Sequence, residues 1–254
     1  MSVIAILCTL AIVLSITVFM VWASASIRSG VYVRAFCREK TDRKVVYLTF
    51  DDGPHPPETE RVLDVLRERG ARATFFLIGS KVSVNEAVLR RMLEEGHALG
   101  LHTYSHAGTF PLLSFDKMLA DVNEGKRAVE SVAGRKISLF RPPFGVTNPT
   151  IAKVIRTLGL QTVGWDVRSF DTMFCKSSEH SCKQSGHDWY VLVVERIMKQ
   201  VRPGSVILLH DRLDGASELL SLLLDNLAAS GYDFTAALPN TLISASDSSE
   251  TSLS

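Results

Sequence analysis

The sequence lacks an excess of charge of either sign, internal repeats and low-complexity domains. Its 254 residues include 28 Lys and Arg against 27 Asp and Glu, and no basic stripe is visible along the chain. This balance argues against a protein that coats nucleic acid. Because 46% of the residues are apolar, the composition predicts a globular protein with a sizeable core and no nucleic-acid partner.

Charged side chains are also missing from the apolar run Val3–Ala25, which has the length needed to cross a bilayer. The run has no polar face, so a buried core helix is disfavoured. A secretory signal usually begins with Lys or Arg and has a shorter apolar stretch. We therefore expect residues 1–27 to form a retained transmembrane helix, followed by a linker at 28–43. A cleaved signal is the alternative, because residues 23–25 are as small as those at a cleavage site.

Cysteine is scarce, and its four positions are Cys8, Cys37, Cys175 and Cys182. The last two lie close together in one polar insertion, where an oxidising compartment would allow them to close a small loop. Two free thiols are the alternative. His180 and His187 lie in the same insertion, but their spacing from the cysteines matches no common zinc module, so we expect no second metal there.

From Lys44 onwards, apolar runs of strand length alternate with longer amphipathic stretches, the first of which is Glu58–Arg69. The strand candidates are Val45–Phe50, Ala73–Ile78, Ala98–Leu101, Ser138–Phe140, Gln161–Trp165, Val206–Leu209 and Phe234–Leu238. This alternation predicts one α/β domain at 44–240, a distorted barrel of about seven parallel strands with its functional loops at the strand carboxyl ends. The Ser-rich segment 241–254 is expected to be a disordered tail.

Two adjacent carboxylates stand where the first strand candidate breaks into a turn. They are Asp51 and Asp52, within TFDDGP at residues 49–54. Neighbouring residues that leave a strand point in different directions, so one carboxylate can bind a metal while the other faces a water. Taken alone, such a pair is more often a solvated Asp-Gly turn.

Two histidines follow the strand candidate that ends at Leu101. His102 and His106 stand four residues apart in HTYSH, a spacing that brings both imidazoles within reach of one divalent ion on a helical turn. An aspartate from another strand end would complete the ligand set. A surface loop is the alternative for this pair by itself.

These two motifs together resemble those of the polysaccharide deacetylases, carbohydrate esterase family 4, also called the NodB homology domain. The resemblance spans residues 44–238. It implies that Asp51 is a general base and that Asp52, His102 and His106 bind a divalent metal. Zinc is the expected ion, with cobalt, manganese or iron as alternatives.

A third family motif is matched by RPPFG at residues 141–145. The resemblance implies that Arg141 pairs with Asp51, and a guanidinium there favours the ionised carboxylate. The backbone N–H of Phe144 corresponds to the family's oxyanion donor. Pro143 is a candidate substrate contact in a loop that its two prolines stiffen. An arginine on a rigid surface loop is the alternative for this motif alone.

Two further motifs follow in the family's order. Trp165 and Asp171 match the pattern W-x-x-D-x-x-D-W, whereas Arg168 replaces an acid and Thr172 replaces a Trp that usually lines the sugar groove. We expect Trp165 to contact a sugar face, or else to form part of the barrel wall. In the fifth motif, His210 stands at the end of a strand candidate and resembles the family's general acid. The resemblance implies that the Asp171 carboxylate supports it.

The implied function is a metal-dependent hydrolase that removes N-acetyl groups from the amino sugars of a polysaccharide and releases acetate. Peptidoglycan is the preferred polymer because of the membrane tether, and a chitin-like glycan is the alternative. A catalytically silent carbohydrate-binding barrel should have lost a ligand or the base, yet every position is filled. A metal amidohydrolase acting on small molecules is a further alternative.

Two arguments about the orientation of the membrane segment conflict. The positive-inside rule counts Arg28, Arg34, Arg38 and Lys40 after the apolar run and would keep the domain in the cytoplasm. The implied glycan is usually found outside. We expect an extracytoplasmic domain at the cell envelope, or a secreted domain if the segment is cleaved.

Overall fold

The computed structural model describes residues 2–178 and 189–239. Cys182, His180, His187 and the predicted tail at 241–254 lie outside the described residues. The bridge between Cys175 and Cys182 therefore stays a prediction.

The described residues contain a single curled sheet of eight strands. They are β1 Ala35–Phe36, β2 Val46–Asp51, β3 Ala73–Leu77, β4 Ala98–Leu101, β5 Leu139–Phe140, β6 Gln161–Val163, β7 Val167–Arg168 and β8 Ser205–His210. The strand order is β1-β6-β5-β4-β3-β2-β8-β7, and every neighbouring pair is parallel. Arg38, just after β1, forms an isolated bridge with Ser205 of β8, which shows how far the sheet curls. The predicted α/β fold of parallel strands is confirmed.

Most helices connect the strands on the outside of the sheet, whereas the first helix precedes β1 and the last one follows β8. They are α1 Val3–Ala25, α2 Glu58–Glu68, α3 Gly79–Val82, α4 Glu86–Glu94, α5 Phe115–Ala133, α6 Pro149–Leu158, α7 Asp171–Ser178, α8 Trp189–Met198 and α9 Ala216–Ala229. Local sequence accounts for the limits of α6. Asn148 caps it by accepting a hydrogen bond from Ile151 N at 2.8 Å, Pro149 begins it, and Gly159 ends it with φ of 62°.

Alternation along β2 divides the interior into two cores. Val46, Leu48 and Phe50 face the large core between sheet and helices, whereas Tyr47 joins a smaller cluster on the other face. Because side chains alternate along a strand, Asp51 shares that second face with Tyr47. The sheet therefore directs its terminal carboxylate towards the concave side.

One predicted strand is wrong, and two short strands were not predicted. Phe234–Leu238 forms no strand, because β2 and β3 are each already paired on both sides and offer no free backbone edge. Asp233 makes only an isolated bridge with Val45. The unpredicted strands are β1, which lies inside the expected linker at 28–43, and β7. Both have two residues, too short for a periodic pattern.

Most apolar side chains of helix α1 are exposed and do not pack against the rest of the domain. Residues 3–22 are exposed throughout. Among the described residues, α1 is the one helix with the length and composition of a membrane span, and a signal sequence would share these properties.

Candidate active site

The predicted site residues meet at the carboxyl edge of the sheet. Asp51 ends β2, His102 follows β4, Arg141 follows β5, and His210 ends β8. Asp51 and His210 are directly paired in the register of β2 and β8. Parallel strands thus bring together side chains that lie up to 159 positions apart in sequence.

Arg141 forms the floor of this site. Its side chain is fully buried, and its Nη1 donates to Asp51 Oδ1 at 2.7 Å and to Thr49 Oγ1 at 2.9 Å. Nη2 donates to the Gly164 carbonyl at 2.9 Å, and the guanidinium lies 4.1 Å from the centre of the Phe76 ring. A buried cation with these partners fixes the position of the Asp51 carboxylate.

Asp52, His102 and His106 converge on one point. The Oδ1 atom of Asp52 lies 3.7 Å from His102 Nε2 and 3.3 Å from His106 Nε2, and one ligand atom from each residue lies within 4.8 Å of the others. His102 Nδ1 is 2.7 Å from the Arg141 carbonyl oxygen, which leaves Nε2 directed at the cluster. Two imidazoles and one carboxylate with open sides are a donor set that fits a divalent transition metal.

His210 is paired with Asp171 on the opposite side of the cleft. Asp171 Oδ1 lies 2.8 Å from His210 Nδ1, and Asp171 Oδ2 accepts the His210 backbone N–H at 2.8 Å. Burial opposes the charged imidazole, but the Asp171 carboxylate outweighs it and raises the pKa of His210 to about 9. His210 is therefore a cation near neutral pH.

Comparison with known proteins identifies this arrangement. Residues 38–163 match the family model of the polysaccharide deacetylases. A peptidoglycan-N-acetylglucosamine deacetylase of Bacillus cereus is 34% identical over 200 residues, which cover 76% of this chain and 86% of the relative. The chain belongs to the polysaccharide deacetylase family.

Two other members of the polysaccharide deacetylase family illustrate its range. A chitooligosaccharide deacetylase of Azorhizobium caulinodans is 32% identical and covers 65% of this chain and 73% of its own. The crystal structure of polysaccharide deacetylase Bc1974 from Bacillus cereus superposes with a TM-score of 0.67 at 27% identity, over 80% of this chain and 96% of that one.

One wall of the deacetylase cleft is formed by the RPPFG loop and Trp165. The Phe144 side chain is 50% exposed, and its ring centre lies 5.2 Å from that of His106. Gly145 has φ of 69°, and a Cβ there would lie 2.5 Å from the Trp165 ring, so this close approach requires glycine. Pro143 is buried and is not among the residues that line the cleft. Its substrate contact stays a prediction.

The cleft holds about 290 Å³ and is lined mainly by the groups already described. The lining residues beyond them are Arg168, Ser169, Phe170, Thr172, Met173, Leu208 and Arg212. Arg168 is exposed and lies over the Phe170 ring at 4.6 Å. The two positions that depart from the family's fourth motif, Arg168 and Thr172, therefore both face the cleft.

Two charged residues beside the deacetylase site carry no sequence signal except their adjacency to His210. Arg212 Nε donates to Asp52 Oδ2 at 2.8 Å. Burial opposes ionisation of Asp52, but His102, His210 and Arg212 outweigh it and lower its pKa to about 2. Asp211 is fully buried, accepts the Thr59 hydroxyl at 2.7 Å, and has its pKa raised by burial to about 6.

Backbone strain is concentrated at this cleft. In the described residues, the non-glycine positions with positive φ are Asp52, Thr103, His106, Phe144 and Phe170. Four of them line the cleft, and Thr103 lies next to His102. Left-handed backbone is uncommon outside glycine, and for Thr and Phe in particular it is unfavourable, so the surrounding packing must impose it.

Proposed function

We propose that this chain is a metal-dependent deacetylase that hydrolyses the N-acetyl amide of amino sugars in a polysaccharide. The observation that carries the proposal is the juxtaposition of the Asp52, His102 and His106 cluster with Asp51 and His210 in one cleft. Membership of the polysaccharide deacetylase family supports the same reaction.

The divalent cation would be held by Asp52, His102 and His106, with zinc as the expected ion. When bound, such an ion polarises a carbonyl and acidifies a water. The second carboxylate oxygen of Asp52 remains with Arg212, which leaves Oδ1 free for the ion. Arg212 is thereby a positioning residue.

Arg212→Gln is expected to weaken metal binding about tenfold or more, because removing the group that orients a metal ligand typically has this effect. Calorimetric titration of the apoprotein with zinc measures the change. Arg168→Gln is the matched control, since Arg168 lies in the same cleft. Equal zinc affinity for Arg212→Gln and the wild type would contradict this role for Arg212.

The remaining chemistry belongs to the side chains and one backbone group. Asp51, fixed by Arg141, takes the proton of the attacking water. The Phe144 N–H donates a hydrogen bond to the developing oxyanion. His210 then donates its proton to the departing nitrogen, so that the amide C–N bond breaks and acetate and a free amino sugar result.

Asp171→Asn is expected to move the alkaline limb of the kcat profile to lower pH by at least about one unit. The protonated acid is present below the pKa of His210, about 9, and is lost as the pH rises through it. Without the carboxylate this loss occurs earlier. Rates measured from pH 6 to 10 test the shift, with Asp225→Asn on the distant helix α9 as control. An unchanged alkaline limb would exclude Asp171 from this role.

The polymer is proposed from the family members and the anchor. Relatives are named for peptidoglycan and for chitooligosaccharides. We favour peptidoglycan, since a protein tethered in a bacterial membrane would meet it at the envelope. The full chain, purified in detergent and loaded with zinc or cobalt, should release acetate from one of the two glycans when both are assayed in parallel. Release from neither would overturn the proposed function.

The proposed location is the outer face of the membrane, with α1 as a retained anchor. The apolar, exposed surface of α1 supports the anchor. A protease added to intact cells should then cut the domain, whereas a cytoplasmic reporter protein stays whole. A domain that is cut only after cell lysis would contradict this placement.

A further inference from the structure

The carboxyl-terminal end of α1 is built into the barrel. The Ala23 side chain is fully buried and Ile27 is 4% exposed, in contrast to the exposed residues 3–22. Thr147 donates from its backbone N to the Ser24 carbonyl at 3.0 Å, and its hydroxyl donates to the Ala23 carbonyl at 3.4 Å. The membrane helix therefore joins the domain through a packed contact.

This contact continues into the floor of the cleft. Ile27 and Cys37 pack so tightly on Gly164 that a Cβ there would lie 3.1 Å from Ile27 and 2.5 Å from the Cys37 sulfur. The Gly164 carbonyl in turn accepts a hydrogen bond from Arg141, which binds Asp51. A continuous set of packed groups thus links the end of the anchor to the proposed catalytic base.

The cleft is close to this point of entry. Thr147 is only three residues from Phe144, a chain distance of at most about 11 Å. The Phe144 ring lies 5.2 Å from the His106 ring. The candidate metal ligands therefore lie within about 25 Å of the end of α1. The 23 residues of α1 extend about 34 Å and match a hydrocarbon core of about 30 Å, so its end emerges at the headgroups.

Exposed apolar side chains lie around the exit, the place where the chain leaves α1 and enters the barrel. Val31 is 45%, Leu112 85% and Phe144 50% exposed. The turn that carries Leu112 is tied to the exit, because Asn148 donates to the Pro111 carbonyl at 2.7 Å. Apolar groups next to a transmembrane helix gain stability by entering the lipid interface.

Basic residues are present at the same place. Arg28 and Arg34 are both exposed and follow α1 directly. Such residues attract anionic headgroups when they lie near a bilayer surface. Apolar and basic groups around the exit therefore both favour a domain that rests on the membrane.

We propose that the cleft works at the bilayer surface on an N-acetylated saccharide carried by a membrane lipid. This inference rests on the proposed function and applies to either face of the membrane. A domain fixed to its anchor reaches only the glycan that lies at the bilayer surface. A lipid-carried saccharide reaches the cleft by lateral diffusion in the same bilayer.

The test compares one trisaccharide in two forms. The full chain, reconstituted in vesicles and loaded with zinc, is given triacetylchitotriose free in solution or joined to a phospholipid in the same vesicles. A flexible Gly-Ser linker of about 30 residues, with a mean span of about 30 Å, is inserted between Trp22 and Ala23. This leaves the 20 apolar residues 3–22 to span the membrane and Ala23–Ile27 to pack on the barrel.

The linker should lower the ratio of lipid-carried to soluble turnover about tenfold, because the cleft is no longer confined to the surface. Turnover of the soluble trisaccharide should stay within about twofold of the wild type, which shows that the variant is folded. The same linker between Ser2 and Val3 is the matched control and should change neither rate. An unchanged ratio, or acetate release from peptidoglycan alone, overturns this inference, whereas release from neither the trisaccharide nor peptidoglycan overturns the proposed function.

A second measurement does not depend on turnover. In a Trp22→Phe background, brominated lipids should quench the fluorescence of Leu112→Trp well beyond that of the background protein. Ser230→Trp is the control, because Ser230 is exposed near the opposite edge of the sheet, where its carbonyl accepts from Lys44. Quenching of Leu112→Trp no greater than that of the background protein would place the cleft away from the bilayer.

Discussion

Asp51→Asn is expected to lower kcat about a hundredfold or more while zinc affinity changes little. The amide can still accept the hydrogen bond from Arg141, so the floor of the site should persist. It cannot take a proton from water. The metal cluster is built from Asp52, His102 and His106, and it does not require Asp51.

The measurement pairs single-turnover acetate release with a zinc titration of the same preparation. Asp225→Asn provides the same chemical change at an exposed carboxylate that pairs with Arg69 on the outer surface, and it should behave as wild type. A near-normal rate in Asp51→Asn would remove Asp51 from the role of base. A loss of zinc binding in that variant would instead show that Asp51 acts on the metal cluster.

His102→Ala is expected to abolish both tight zinc binding and turnover, and chelation of the wild type with dipicolinate should have the same kinetic result. His102 is 2% exposed, and its Nε2 atom points at Asp52 from a ring oriented by the Arg141 carbonyl. Removing one of three protein ligands leaves too few donors to hold the ion.

Metal content measured by atomic emission, before and after chelation, links the two effects. Restoring zinc should restore turnover in the wild type and fail to do so in His102→Ala. His55→Ala removes an exposed imidazole outside the cluster and should retain metal and activity. Full turnover after verified metal removal would contradict the metal mechanism.

The strands that end in a motif lie where the sequence predicts them. Asp51 and His210 were both predicted at strand ends, and the structure pairs them across β2 and β8. The strand predicted at Phe234–Leu238 is absent for a reason that lies outside the segment itself. Its composition suits a strand, but strand formation also requires a free neighbouring edge, and edges are a property of the whole sheet.

The expected linker at 28–43 illustrates the same difference. Its apolar stretch at residues 31–37 does not reveal the pairing partner of β1 or the packing of Ile27 and Cys37 on Gly164. These contacts depend on residues more than a hundred positions away. The domain boundaries at 28 and 44 therefore stay predictions, although the chain between them packs against the barrel.

The sequence by itself determined which candidate groups stand at the strand ends, because motifs there record residue type and order. Only the tertiary structure decided how those groups meet. It brought Arg212 to Asp52, imposed left-handed backbone at His106 and Phe144, and joined the end of α1 to the cleft wall. Each of these depends on contacts between distant parts of the chain, and local propensity does not encode such contacts.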